Sequence, residues 1–208
     1  MGVNIMMDVR ILLFDGFETL DAMGPAEVFG MLPELYRVTC CSLGGGVIKS
    51  SQNVSVLTVP ITEAGDILLV PGGFGVRALV KDEGYVAKLK ELCEASQHVL
   101  TVCTGSVLLA QTGLLFGRQA TSYKISFDWA SSHGDNVDWR PRARWTVDWK
   151  YRTSSGISAG IDMALGFVSD MHGRETALET ARKIEYVWND CMDNDPFAAD
   201  GNLSKSAG

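Results

Sequence analysis

Four consecutive apolar residues, Ile67-Leu68-Leu69-Val70, run directly into Pro71-Gly72-Gly73. A run this short, closed by residues that turn the chain, reads as a strand. It shows no alternation, so both of its faces are apolar and both must be covered. A parallel sheet with helices on each side meets that demand, which commits the chain to an α/β architecture. A second segment has the same logic. Val99-Leu100-Thr101-Val102 leads into Cys103, then the small residues Thr104-Gly105-Ser106, then an apolar run long enough for a helix. That is strand, sharp turn, helix, with a thiol at the corner.

The rest of the chain fills in this plan. Strands are expected over 9–14, 36–43 and 54–59, the last alternating as an antiparallel or edge strand does. Helices are expected over 21–31, with Gly24-Pro25 near its start and Pro33 beyond its end, and over 85–95. Another follows Cys103 and closes at Gly113. Residues 143–153 look like a hairpin turning near Asp148-Trp149-Lys150, and helices are expected over 158–172 and 175–188. The polar tail 193–208 is expected to be loosely held. Strands alternating with helices give one domain spanning 1–208, a sandwich with a mostly parallel central sheet and helices on both faces.

Composition narrows the function. The 208 residues are 46% hydrophobic, enough for one core. The net charge of −7 argues against nucleic-acid binding, which wants a basic face. No apolar run approaches the ~20 residues of a membrane span. Asp8 and Arg10 interrupt the apolar start, which reads as a first strand and not a signal peptide. The five cysteines are odd in number and form no Cys-x-x-Cys, and the adjacent Cys40 and Cys41 point to opposite faces of their strand. That is no disulfide framework, and it suggests a reducing, cytoplasmic setting. The three histidines lack metal-pair spacing, so neither a metal nor a cofactor is expected.

Ligands of such sheets bind at the carboxyl ends of the strands. Three segments end there together: Asp15-Gly16-Phe17 leading to Asp21, Pro71-Gly72-Gly73, and Cys103-Thr104-Gly105. Cys103 is either a nucleophile facing a helix amino end, which favours the thiolate, or a buried core thiol. Asp21 is either a buried acid in need of a partner or the N-cap of the helix after it. Gly72-Gly73 is either part of a site or a plain turn. The five tryptophans (Trp129, Trp139, Trp145, Trp149, Trp188) read as core or interface residues, and Ser158-Ala159-Gly160 as a close-packing helix start.

The order of motifs carries a resemblance. Leu20-Asp21-Ala22-Met23-Gly24-Pro25, Val70-Pro71-Gly72-Gly73-Phe74-Gly75, Val102-Cys103-Thr104-Gly105-Ser106, Gly113-Leu114-Leu115-Phe116-Gly117 and Ser158-Ala159-Gly160-Ile161-Asp162 follow one another in the chain. This pattern resembles the ThiJ/PfpI superfamily, related to class I glutamine amidotransferases, and within it is most similar to the isocyanide hydratases. The resemblance implies a flavodoxin-like sandwich and a homodimer. It implies Cys103 as nucleophile, Asp21 as the acid bonded to the thiol, and the backbone N–H groups of Gly73 and Thr104 as an oxyanion-type pocket. It implies a small-molecule substrate, with isocyanides converted to N-formamides through a thioimidate-type intermediate. Many superfamily members carry a histidine soon after the nucleophile helix, whereas this chain has Tyr123 there, in Thr121-Ser122-Tyr123-Lys124. That departure disfavours chemistry built on a Cys-His dyad. Two other readings stand beside the hydratase: a glyoxalase or deglycase of small dicarbonyls, and a non-catalytic redox sensor oxidised at Cys103. Regulators with this fold append a helix-turn-helix domain, for which a chain ending at Gly208 has no room.

Overall fold

The computed structural model describes residues 6–198. In chain order its elements are β1 (Met7–Leu12), α1 (Thr19–Gly30), β2 (Tyr36–Ser42), β3 (Gly46–Lys49), β4 (Ser55–Pro60), β5 (Ile67–Val70), α2 (Val76–Leu79) and α3 (Glu83–Ala95). After these come β6 (His98–Val102), α4 (Gly105–Gln111), β7 (Gln119–Ala120), α5 (Phe127–Ser131), β8 (Asp138–Trp139), β9 (Trp145–Asp148), β10 (Tyr151–Ser154), α6 (Ala159–His172) and α7 (Arg174–Lys183). Eight strands form one sheet in the order β3-β4-β2-β1-β5-β6-β10-β9, and β7 and β8 form a separate parallel pair. From β4 to β10 every pairing is parallel, and the two outermost strands, β3 and β9, run antiparallel to their neighbours.

The apolar run 67–70 is β5, paired with β1 on one side and β6 on the other and buried at all four residues. α1, α6 and α7 pack together as one group, and α2, α3 and α4 as another. β6 touches both α4 and α6. A Cβ on Gly160 would come within 2.9 Å of both Val102 methyl carbons, and one on Gly24 within 2.7 Å of Ile161. The small residues of α1 and α6 therefore serve packing, as their sequence suggests.

Several features depart from the sequence expectation, among them the short elements α2, α5, β7 and β8, where no helix or strand is expected. β3 forms after the glycine turn, where no strand is expected. α7 stops at Lys183, five residues short, and Glu185 takes a positive φ of 51°. The chain then folds back: Trp188 Nε1 donates to the Asp162 carbonyl (3.1 Å) and the Asn189 N–H to Asp162 Oδ1 (3.0 Å). The first part of the supposedly loose tail is also seated. Asp195 is buried, and the equally buried Arg144 donates to it (3.4 Å) and to Asp162 (2.8 Å). Burying three charges is costly and is tolerated only while they stay paired, so removing Arg144 would leave two buried carboxylates uncompensated. Residues 199–208 of that tail lie outside the described residues.

Candidate active site

β6 ends at Val102 and α4 begins at Gly105, so Cys103 must turn the chain in one step. It does so with φ at +58°, a conformation disfavoured for a residue with a Cβ. Backbone contacts hold it there. The Cys103 N–H is shared between the Ser154 and Ser155 carbonyls (3.2 Å each), and its carbonyl accepts from Ser106 Oγ and Ser122 Oγ (3.0 Å each). Ser154 is the last residue of β10, which pairs with β6, so the sheet itself fixes the corner. Gly105 lets α4 start hard against the end of β5. A Cβ there would lie 2.3 Å from the Val70 oxygen and 2.8 Å from that of Pro71. Gly105→Ala is therefore expected to destabilise the fold by about 2 kcal/mol or more. Urea denaturation measures it, and an unchanged midpoint would show that the two segments can part freely.

Asp21 lies in the first turn of α1 and is fully buried. It does not cap the helix, because Glu18 holds the N-cap position and makes no side-chain cap. Instead Asp21 reaches the end of β5, where its Oδ2 accepts the Gly72 N–H at 2.9 Å. Gly72 could be no other residue, since a Cβ would sit 2.6 Å from the Thr104 nitrogen and 3.0 Å from Asp21 Oδ2. Asp21 Oδ1 is buried with no protein partner of ordinary hydrogen-bond geometry, and the Cys103 thiol is the neighbouring donor that acts on this carboxyl. Gly73 has φ at +125° and pairs with Phe17 as an isolated antiparallel bridge. The two strand ends and the entry to α1 thus meet at the thiol.

Gly73 lines the cleft beside Thr104, and its N–H donates to Thr104 Oγ1 at 3.2 Å. Thr104 in turn acts on Cys103 with both its backbone N–H and its hydroxyl, each favouring the thiolate. Gly73 therefore sets the hydroxyl and Thr104 meets the sulfur.

Burial pushes the Cys103 thiol well up from its ordinary value, the charge of Asp21 adds to the rise, and Thr104 works against it. Burial likewise pushes the Asp21 carboxyl well up, with the Gly72 N–H opposing and Glu18 reinforcing. Two acids in one dry site do not both ionise. One proton is therefore shared between thiol and carboxyl, and a thiolate forms here when Asp21 holds it. Of the two alternatives the sequence leaves open, a thiol facing a helix amino end and a buried thiol, Cys103 has features of both: it is buried, and it stands two residues before the start of α4.

The thiol opens on a cleft of about 190 Å³ lined by Glu18, Phe74, Arg77, Tyr123, Trp129 and Ile157 beside Gly73 and Thr104. This is below the roughly 300–1,000 Å³ of sites for drug-sized ligands, so the space suits a small molecule. Tyr123 packs its ring against Gly156 and lines the cleft. None of the three histidines lines it. His98 stands against Phe167, His172 against Tyr36 and His133 against Trp129. Trp129 is a cleft residue and not merely core, contrary to the sequence reading. Among the described residues no three His, Cys, Asp or Glu side chains group as a metal site would need, and no helix is long and apolar enough to cross a membrane.

Residues 7–170 match the DJ-1/PfpI family. The chain is 29% identical to an isonitrile hydratase of Pseudomonas putida over 186 residues, which is 87% of this chain and 79% of that one. It is also 29% identical to the transcriptional regulator CdhR of Pseudomonas aeruginosa over 185 residues, 85% of this chain but 54% of the regulator. The fold superposes on a ThiJ/PfpI family protein from Pseudomonas syringae with a TM-score of 0.78 at 23% identity, covering 93% of this chain and 78% of that one.

Proposed function

Because the chain belongs to the DJ-1/PfpI family, its elbow cleft is to be read as the family's working site, and we propose that it hydrates isocyanides to N-formamides with Cys103 as nucleophile. The observation that carries this reading is a thiol paired with one buried carboxyl in a small cleft that no histidine lines. The 29% identity to an isonitrile hydratase supports it.

The chemistry follows from that inventory. The Cys103 thiolate attacks the terminal carbon of R–N≡C, forming the carbon–sulfur bond. The protonated Asp21 delivers its proton to the same carbon, which gives the thioimidate R–N=CH–S–Cys103. Water then adds to this carbon as Asp21, now a carboxylate, takes one of its protons. As the carbon–sulfur bond breaks and the thiolate leaves, the proton remaining on the added hydroxyl passes to nitrogen, which gives R–NH–CHO and leaves Asp21 protonated for the next turnover. Each step needs one acid–base group, and one is present. The thiolate leaves toward the N–H and hydroxyl of Thr104, which favour its charge.

A glyoxalase must move a proton between neighbouring carbons, which a histidine commonly serves. Incubation with an aryl isocyanide, followed by mass spectrometry for the N-formamide, tests the choice. Lactate from methylglyoxal with the isocyanide unchanged would replace this reading with the glyoxalase. Neither product, together with clean oxidation at Cys103, would favour the sensor.

A homodimer in a cytoplasmic setting belongs to the same reading. The β3–β4 edge exposes Val47, Leu57 and Val59, with Val47 directly opposite Leu57. An apolar strip on an open edge wants cover. Light scattering is expected to give twice the chain mass at micromolar concentration, and a single chain mass would refute it.

A further inference from the structure

The cleft has two charged walls, and they differ. Glu18 belongs to the thiol end: its charge acts on Cys103, Asp21 and Tyr123. Its Oε2 is also engaged, accepting from Gln52 Nε2 at 2.9 Å. Arg77, on α2, is not among the charges that shift those three groups. Its guanidinium carbon stands 4.5 Å from the centre of the Trp129 ring. Seven of the ten arginines in this acidic chain lie within 4 Å of a carboxylate, and Arg77 does not. Among the described residues its side chain has no hydrogen-bond partner, only the indole face.

A guanidinium over an aromatic ring keeps its edge N–H groups free, and those are the groups that grip a carboxylate two-fold. Trp129 is itself held, since its carbonyl meets His133 Nδ1 at 2.8 Å and its ring meets the His133 ring at 4.6 Å. The cleft that Cys103 and Arg77 both line is otherwise walled mainly by aromatic and apolar side chains, Tyr123, Trp129, Phe74 and Ile157, with the hydroxyl of Ser126 among them. An apolar cavity of roughly 150 Å³ is known to hold one benzene ring, so about 190 Å³ takes one ring with little to spare.

We infer that Arg77 selects substrates bearing a carboxylate: an electrophilic carbon at Cys103, a compact flat body between the aromatic walls, and an anionic end on the guanidinium. This rests on the hydratase reading for the identity of the electrophile, but the anion preference belongs to the cleft.

The test compares 4-isocyanobenzoate with 4-isocyanotoluene, and follows the ratio of their kcat/KM values. Intrinsic reactivity differs between the two probes but cancels when one enzyme variant is compared with another. Arg77→Met is expected to lower the carboxylate-to-methyl ratio about five-fold, the upper end for an exposed ion pair. Arg77→Lys should keep most of it, and added salt should erode it in the wild type. An unchanged ratio in Arg77→Met overturns the inference while leaving the hydratase reading intact. If wild type hydrates neither probe, the hydratase reading has failed, and the inference is judged by calorimetric binding of 4-formamidobenzoate against 4-methylformanilide. A loss of about five-fold for the anion alone in Arg77→Met upholds it, and equal losses or none overturn it.

Discussion

Cys103→Ala is expected to abolish isocyanide hydration, lowering kcat by at least about 10⁴-fold, the scale seen when a covalent nucleophile is removed. No other group in the cleft can take its place. Thr104 is the nearest hydroxyl, and its oxygen already accepts the Gly73 N–H. Tyr123 is pushed up from its ordinary value by burial and by the negative groups around it, so it makes a poor nucleophile. Cys103→Ser should fare little better, because a hydroxyl in this dry site has no base strong enough to ionise it. Both variants should fold, since the corner is held through the backbone of residue 103. Product formation by mass spectrometry, with circular dichroism as the folding check, decides the matter. Residual turnover above a hundredth of wild type in Cys103→Ala would exclude covalent catalysis by this thiol.

Asp21→Asn carries the second large effect, and it has two faces. The amide oxygen can still accept the Gly72 N–H, so the β5 end should keep its shape. The amide cannot give up a proton, and turnover should fall by about 10²–10⁴-fold. Stability should move the other way. The Asp21 carboxyl is raised by burial, so in the folded chain it keeps its proton at pH values where the unfolded chain, near 3.8, has lost it. Over that window the folded state binds more protons than the unfolded state, and wild-type stability falls as pH rises. Asparagine has no such term. The variant should match wild type near pH 3.5 and gain on it steadily as pH rises above 4. Thermal unfolding across pH 3.5–7 measures the difference. A gap that closes with rising pH would mean that Asp21 is stabilised as the carboxylate, which contradicts its role as the acid.

What the sequence made legible was whatever burial imprints on composition. Ile67–Val70 appears as β5 with the expected bounds because a strand covered on both faces cannot hide its apolar run. The corner at Cys103 was legible because small residues must follow it, and Gly105 shows why in its contact with Val70. β3 left no such imprint, since three of its four residues are exposed. The end of α7 was misread because Tyr186, Val187 and Trp188 continue an apolar pattern. What turns the chain there is tertiary: Trp188 and Asn189 dock on Asp162. The cleft walls were missed for the same reason. Phe74 and Arg77 come from one stretch and Trp129 and Ile157 from two others, and nothing local in any of them points to a shared space. The raised pKa values of Cys103 and Asp21 belong here too, because desolvation is a property of the assembled site.

The four serines that hold Cys103, namely Ser106, Ser122, Ser154 and Ser155, do not line the cleft, and the residues that line its mouth hold none of the corner. Reactivity and selectivity are therefore inherited separately. A lineage can exchange Phe74, Arg77, Trp129 or Ile157 and change its diet without rebuilding its warhead. Two chains that share every motif around the thiol can then live on different molecules. A library randomised at those four mouth positions should keep a folded, alkylatable Cys103 in most of its members while scattering their substrate preferences.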